Sequence, residues 1–231
     1  MTGPSLGERL AALRAAIQQA EVRSARRSGS VALLAVTKGH PAEVATDAAA
    51  LGLTTLGENY VQECAAKDRW LRGAGVNPSW HLLGHLQRNK VRRAVGLFDL
   101  LESVDSLELA QLLSQARVGQ GSARVLCEVE LTGLPGRTGF APERLERELS
   151  QLVGLPGIQV EGLMTVAARE RAGPTFAACR ILAERLSRLS GHPLATLSMG
   201  MSGDFEAAIA EGSTQVRIGQ LLFGSRLLAT G

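Results

Sequence analysis

Three stretches of the sequence combine residue types that could do chemistry. In VALLAVTKGHP, residues 31–41, six apolar residues from Val31 to Val36 run into Thr37 and Lys38 without a gap. An ammonium is costly to bury, so the ordinary reading of such a lysine is a solvated loop just beyond a strand. In LSMGMSGDFEAAI, residues 197–209, Gly200, Ser202 and Gly203 lead into a helical pattern. Free N–H groups at a helix start, beside a serine hydroxyl, favour an anion such as phosphate. In QVRIGQLLFG, residues 215–224, Arg217 interrupts an apolar run, and Gly219 would let a ligand approach the backbone of Gln220. If Arg217 faces inward it needs an anion or an acceptor, because its charge cannot be removed.

What these residues can do depends on the elements that carry them. Strand-like runs occur at 31–36, 54–57, 80–84, 99–104, 124–131, 158–166, 195–200 and 215–219. Helical patterns lie between them, at 41–52, 106–118, 141–153, 173–190 and 202–212 among others. Eight strands alternating with helices predict a (β/α)8 TIM barrel, with a doubly wound open sheet as the alternative. No glycine-rich turn follows the first strand, and GLPGRTG (133–139) follows a late one, so neither is a dinucleotide fingerprint. With no linker, repeat or low-complexity tract, one domain over 1–231 is expected, with residues 1–30 forming an extra N-terminal helix packed on the barrel.

In such a barrel the active site lies at the C-terminal ends of the strands. Lys38 then stands at the mouth, where partial desolvation lowers its pKa and makes it an amine nucleophile. The loops after strands seven and eight are the recurrent phosphate site of the fold. Alternation on the eighth strand turns Arg217 inward when Val216 and Ile218 face the helices. A lysine nucleophile, a phosphate cradle and an inward arginine together suggest pyridoxal 5′-phosphate (PLP). Lysine would form the Schiff base, the two loops would hold the phosphate, and the arginine would face the pyridine nitrogen.

Composition narrows the function classes. No apolar run is long enough to span a bilayer, and the charged N-terminus reads as an amphipathic helix, not a signal peptide. Cys64, Cys127 and Cys179 are too scattered for a disulfide framework or a zinc knuckle and suit a reducing cytoplasm. The most basic patch, LQRNKVRR at 86–93, does not gather Arg88, Lys90, Arg92 and Arg93 on one helical face. With 3% aromatic residues there is little to stack bases, so a nucleic-acid partner is not expected. His81 and His85 are four apart, but on a strand leading into a turn they share no helical face, so no metal is expected.

The order of AVTK, GENYVQE, WHLLGHLQRNK, SVDS, GLMTV, LSMGMSGDFEAAI and GSTQVRIGQLLFG resembles the YggS/PROSC family of pyridoxal phosphate-binding, or PLP homeostasis, proteins. The resemblance runs from about Val31 to Arg226. It implies a barrel like the N-terminal domain of alanine racemase, with PLP carried as an aldimine on Lys38. It further implies Arg217 at the pyridine nitrogen, Gly219 and Gln220 at the phosphate with Ser202 as hydroxyl ligand, and Asn59 and Met164 lining the pocket. The sequence departs from the family at Glu130, more often asparagine, and Arg137, more often lysine.

Two functions compete for such a site. A racemase needs a base on each face of the α-carbon. Lys38 is one candidate; the other in alanine racemases is a tyrosine from a second domain, for which this chain has no room, and its only tyrosine is Tyr60. An arginine opposite the pyridine nitrogen leaves that nitrogen unprotonated and a poorer electron sink. The expectation is therefore a monomeric, cytoplasmic and non-catalytic PLP carrier in PLP and amino-acid homeostasis, with apo-PLP enzymes as acceptors. A PLP-dependent amino-acid racemase is the alternative, and a nucleic-acid or partner-binding barrel the third reading.

Overall fold

All eight apolar runs form strands in the computed structural model, which describes residues 3–225. They are β1 (Ala32–Val36), β2 (Thr55–Glu58), β3 (Ser79–Leu82), β4 (Leu100–Val104), β5 (Ala123–Glu128), β6 (Ile158–Met164), β7 (Thr196–Ser198) and β8 (Gln215–Ile218). The strands are parallel and close in chain order, with β8 paired back onto β1 and Leu34 opposite Arg217. The architecture is the (β/α)8 barrel and not the open sheet. Arg226, where the family resemblance ends, lies outside the described residues.

Strand composition follows from burial on both faces. On β8, Val216 and Ile218 join the core between sheet and helices, while Arg217 between them bonds to Ser198 on β7 and to Thr165 just past β6. On β4 the pairing with β5 shifts register between Leu101 and Val104. Both of those residues therefore reach the helix-facing core, and Glu102 turns into the barrel. Inside, Leu100, Leu126 and Met164 form a small apolar cluster of their own. β5 ends at Glu128, short of the expected Leu131; beyond it Val129 bridges Phe140 and the Glu130 N–H donates to the Phe140 carbonyl.

The outer layer consists of α2 (Ala42–Ala50), α3 (Val61–Gly73), α4 (Val91–Ala94), α5 (Leu107–Ala116), α6 (Pro142–Val153), α7 (Ala172–Ser190), α8 (Phe205–Ala210) and α9 (Gln220–Phe223). The first helix of the chain, α1 (Leu6–Arg23), packs on α8 and α9 through Leu10, Leu13, Ile17 and Ala20, a helical spacing. Ser5 and Glu8 cap it reciprocally. Buried Glu21 accepts hydrogen bonds from the Gly29 and Val31 N–H groups, which fixes the entry into β1. The basic patch forms a 3₁₀ turn, Arg88–Lys90, followed by the four-residue α4. Among the described residues no helix is long and apolar enough to cross a membrane.

Candidate functional site

The C-terminal ends of β1, β2, β6, β7 and β8 surround a cavity of about 790 Å³. Lys38, Asn59, Met164, Ser202, Arg217, Gly219 and Gln220 all line it. These seven residues, scattered over some 180 positions of sequence, meet because every strand of a parallel barrel delivers its following loop to the same end.

On the β7–β8 side, Arg217 is buried and its guanidinium donates to the Ser198 carbonyl, to Ser198 Oγ at 2.8 Å and to the Thr165 carbonyl at 2.8 Å. Ser198 Oγ in turn donates to Glu102, which also accepts from Gln215 Nε2 and shares a hydrogen bond with His81 Nδ1, both at 2.7 Å. Burial pushes the Glu102 carboxyl up, but the His81 bond, the Arg217 charge and the Ser198 hydroxyl together hold it below the ordinary carboxylate value. Burial lowers the Arg217 pKa against the pull of Glu102, yet an arginine keeps its charge at any pH a folded protein meets.

Two loops complete this side. Gly200 has φ +91°, and a Cβ there would stand 2.5 Å from Ala208 Cβ, so only glycine makes the turn after β7. Ser202 Oγ accepts from the Leu221 N–H at 3.3 Å and ties the two loops together. A Cβ on Gly219 would meet the Val36 carbonyl oxygen at 3.0 Å, so this glycine serves the close approach of β8 to β1 as well as the cavity wall.

On the β1–β2 side, Lys38 is half-buried in the turn after β1. Its neighbours in sequence are held from behind the sheet. Thr37 Oγ1 donates to Glu58 Oε1 at 2.6 Å, Lys67 Nζ donates to the Thr37 carbonyl at 2.7 Å, and the Gly39 N–H donates to Glu63 Oε1 at 2.7 Å. Lys67 spends its remaining protons on Glu58 Oε1 at 2.6 Å and Glu63 Oε1 at 2.8 Å. Glu58 Oε2 is buried without a hydrogen-bond partner. Burial, with Glu63 adding to it, raises the Glu58 carboxyl above its ordinary value despite Lys67 and Thr37. Just past β2, Asn59 Oδ1 is also a buried oxygen without a protein partner, on a residue that lines the cavity.

Other residues singled out in the sequence fall elsewhere. Tyr60 is the N-cap of α3, is 66% exposed and does not line the cavity. Glu130 turns back on its own loop, accepting from the Thr132 and Gly133 N–H groups, and neither it nor Arg137 lines the cavity. His81 and His85 diverge to different carboxylates, Glu102 and Asp105. All three thiols are buried, burial pushes Cys127 and Cys179 up to about 12, and none of the three lines the cavity, whereas Lys38 does. Sequence reasoning missed His40, a buried cavity residue whose ring packs on Phe223 at 5.6 Å, and both supporting clusters. A signal for the clusters was present: Glu102 interrupts an apolar strand just as Arg217 does, and Glu58 ends one.

The residues present fit PLP. A lysine amine, an arginine already oriented by three acceptors, a buried amide oxygen without a partner and a rim of small residues share one cavity of suitable size.

Comparison with known proteins agrees. The family model for the alanine racemase N-terminal domain matches residues 9–227. The chain is 40% identical to a pyridoxal phosphate homeostasis protein of Pseudomonas aeruginosa over 96% of both chains, and 38% identical to one of Aquifex aeolicus over 95% and 97%. Among solved structures it resembles PipY of Synechococcus elongatus with PLP bound, at 39% identity and a TM-score of 0.84, covering 95% of this chain and all of that one. The alanine racemase of Corynebacterium glutamicum, 21% identical with a TM-score of 0.72, shares the fold over 95% of this chain and 61% of its own. The chain belongs to the pyridoxal phosphate homeostasis protein family.

Proposed function

We propose that this member of the family holds pyridoxal 5′-phosphate on Lys38 and serves intracellular PLP and amino-acid homeostasis as a carrier. The observation that carries the reading is the meeting of Lys38, Arg217 and the Ser202–Gln220 loop pair around one cavity. When bound, the cofactor supplies an aldehyde that an amine can capture reversibly. Lys38 is the amine in reach of it. Ser202, Gly219 and Gln220 would hold the phosphate, Arg217 would face the ring nitrogen, Met164 would lie against the ring, and Asn59 would satisfy its bare oxygen on a polar substituent. That PipY was solved with PLP bound supports the same ligand here.

Two features support a carrier over a racemase. Arg217 is a permanent cation and does not protonate a ring nitrogen, so the electron sink that α-proton removal requires stays weak. Tyr60, the one tyrosine of the sequence, stands in solvent and offers no second base at the cavity. A cytoplasmic monomer that yields PLP to apo-enzymes completes the reading.

The test is the visible spectrum. The purified, PLP-loaded protein should be yellow, and Lys38→Ala should lose the visible band and the borohydride-fixable adduct while staying folded. Only Lys67 and Lys90 could replace Lys38, since the sequence has three lysines. Mapping the adduct to either of them overturns the assignment.

A further inference from the structure

The cavity accounts for Lys38 but not for the ion-paired group behind it. Lys67 and Glu58 are both buried, away from the barrel interior, and neither lines the cavity. A buried ion pair is weak evidence for stability in itself, since desolvation offsets much of the attraction. Its contacts indicate another role. Glu58, Glu63 and Lys67 grip Thr37 and Gly39, the residues immediately before and after Lys38.

The grip is complete on both sides of the lysine. Thr37 is held at three points: its N–H on the Gly57 carbonyl, its hydroxyl on Glu58 and its carbonyl under Lys67. Gly39, at φ +71°, has its N–H on Glu63. Glu63 and Lys67 are four residues apart on α3, so one helix face carries both the clamp on Gly39 and the clamp on Thr37. A turn with a glycine in the left-handed region is otherwise free to rearrange.

We propose that Glu58, Glu63 and Lys67 are positioning residues: they clamp the β1–α2 turn from outside the barrel and so fix the Lys38 amine for holding PLP. The inference rests on the reading that Lys38 holds the cofactor. It adds that the strength of holding is set partly on α3, by side chains that touch neither the cavity nor the ligand.

The ligand-free protein and the loaded protein test it separately. Glu63 is the most exposed member, with 27% of its side chain accessible, so Glu63→Ala spares the core. It should speed amide hydrogen exchange at Gly39 in the ligand-free protein and increase the rate of PLP release to an apo-aminotransferase, each about tenfold, with the melting temperature nearly unchanged. Glu63→Gln keeps an oxygen for the Gly39 N–H and should recover most of both. Unchanged exchange at Gly39 in Glu63→Ala, or faster exchange with unchanged PLP release, overturns the clamp. An adduct that maps away from Lys38 in the unsubstituted protein overturns the underlying reading instead, while exchange at Gly39 still judges the clamp.

Discussion

The two halves of the cavity rest on buried carboxylates that solve the same problem differently. Glu102, behind Arg217, takes hydrogen bonds on both oxygens, from His81 and Gln215 on one and Ser198 on the other. Glu58, behind Lys38, takes both of its hydrogen bonds on Oε1 and leaves Oε2 bare. Both residues are fully buried, yet the carboxyl of Glu102 lies below its ordinary pKa and that of Glu58 above it. Burial therefore does not decide the charge of a carboxylate; the number and placement of its donors does. The β8 half is a closed network suited to holding a permanent charge still. The β1 half keeps an unsatisfied atom beside the loop whose lysine would bind and release a ligand.

The difference is sharpest in stability. Glu102→Leu removes the carboxylate that acts most strongly on the buried Arg217 charge, leaving only the weaker pull of Asp204 and Glu128, and should cost about 3 kcal/mol in urea unfolding. Lys67→Met should cost less, about 2 kcal/mol, because Glu58, with its raised pKa, can take up a proton when the ammonium is gone. Equal costs for the two variants would break the comparison.

Binding should separate the halves in a second way. Ser202→Asp places a charge among the loops proposed for the phosphate while its carboxylate can still accept from Leu221 N–H. Stability should stay within about 0.5 kcal/mol, but PLP should be retained at least tenfold less well. Pyridoxal, which lacks the phosphate, should be unaffected. Equal affinity of the unsubstituted protein for PLP and pyridoxal would show that these loops are ordinary turns.

The smallest effect is in pH. Glu102 has a lowered folded pKa, so its contribution is present above the ordinary value of 4.5 and lost as pH falls through the folded value. Glu58 has a raised folded pKa, so its ionisation costs stability as pH climbs from 4.5 towards that value. Glu58→Gln should therefore lose less stability than the unsubstituted protein as pH rises from about 4 to neutral, followed by chemical denaturation across that range. The same pH dependence in both proteins would show that Glu58 is ionised in the fold without penalty.

Much of this protein was legible in its sequence. The apolar runs marked all eight strands, since a parallel strand buried on both faces cannot hide its composition, and their count distinguished barrel from open sheet. Once a barrel is granted, topology alone sends Lys38 and the Ser202 and Gly219 loops to one end, so these cavity-lining residues could be named from local signals, whereas Asn59 and Met164 were named only through the family resemblance. The strand ends were less legible: β5 stops at Glu128 and Val129 bridges Phe140, a contact between residues eleven positions apart that no run of apolar residues encodes.

Tertiary structure alone decided who answers each charge. Tyr60 sits one residue past Asn59, yet it is exposed while Asn59 lines the cavity, because Tyr60 already caps α3, where the chain turns outward. His81 and His85 look like a pair and part to different carboxylates. Glu102 reaches Gln215 across 113 residues of sequence, and Lys67 reaches Thr37 across 30. Periodicity reports which side of a strand a residue occupies. It carries nothing about which strand stands opposite, and hydrogen-bond partners, with the pKa values they set, are fixed only when the barrel closes.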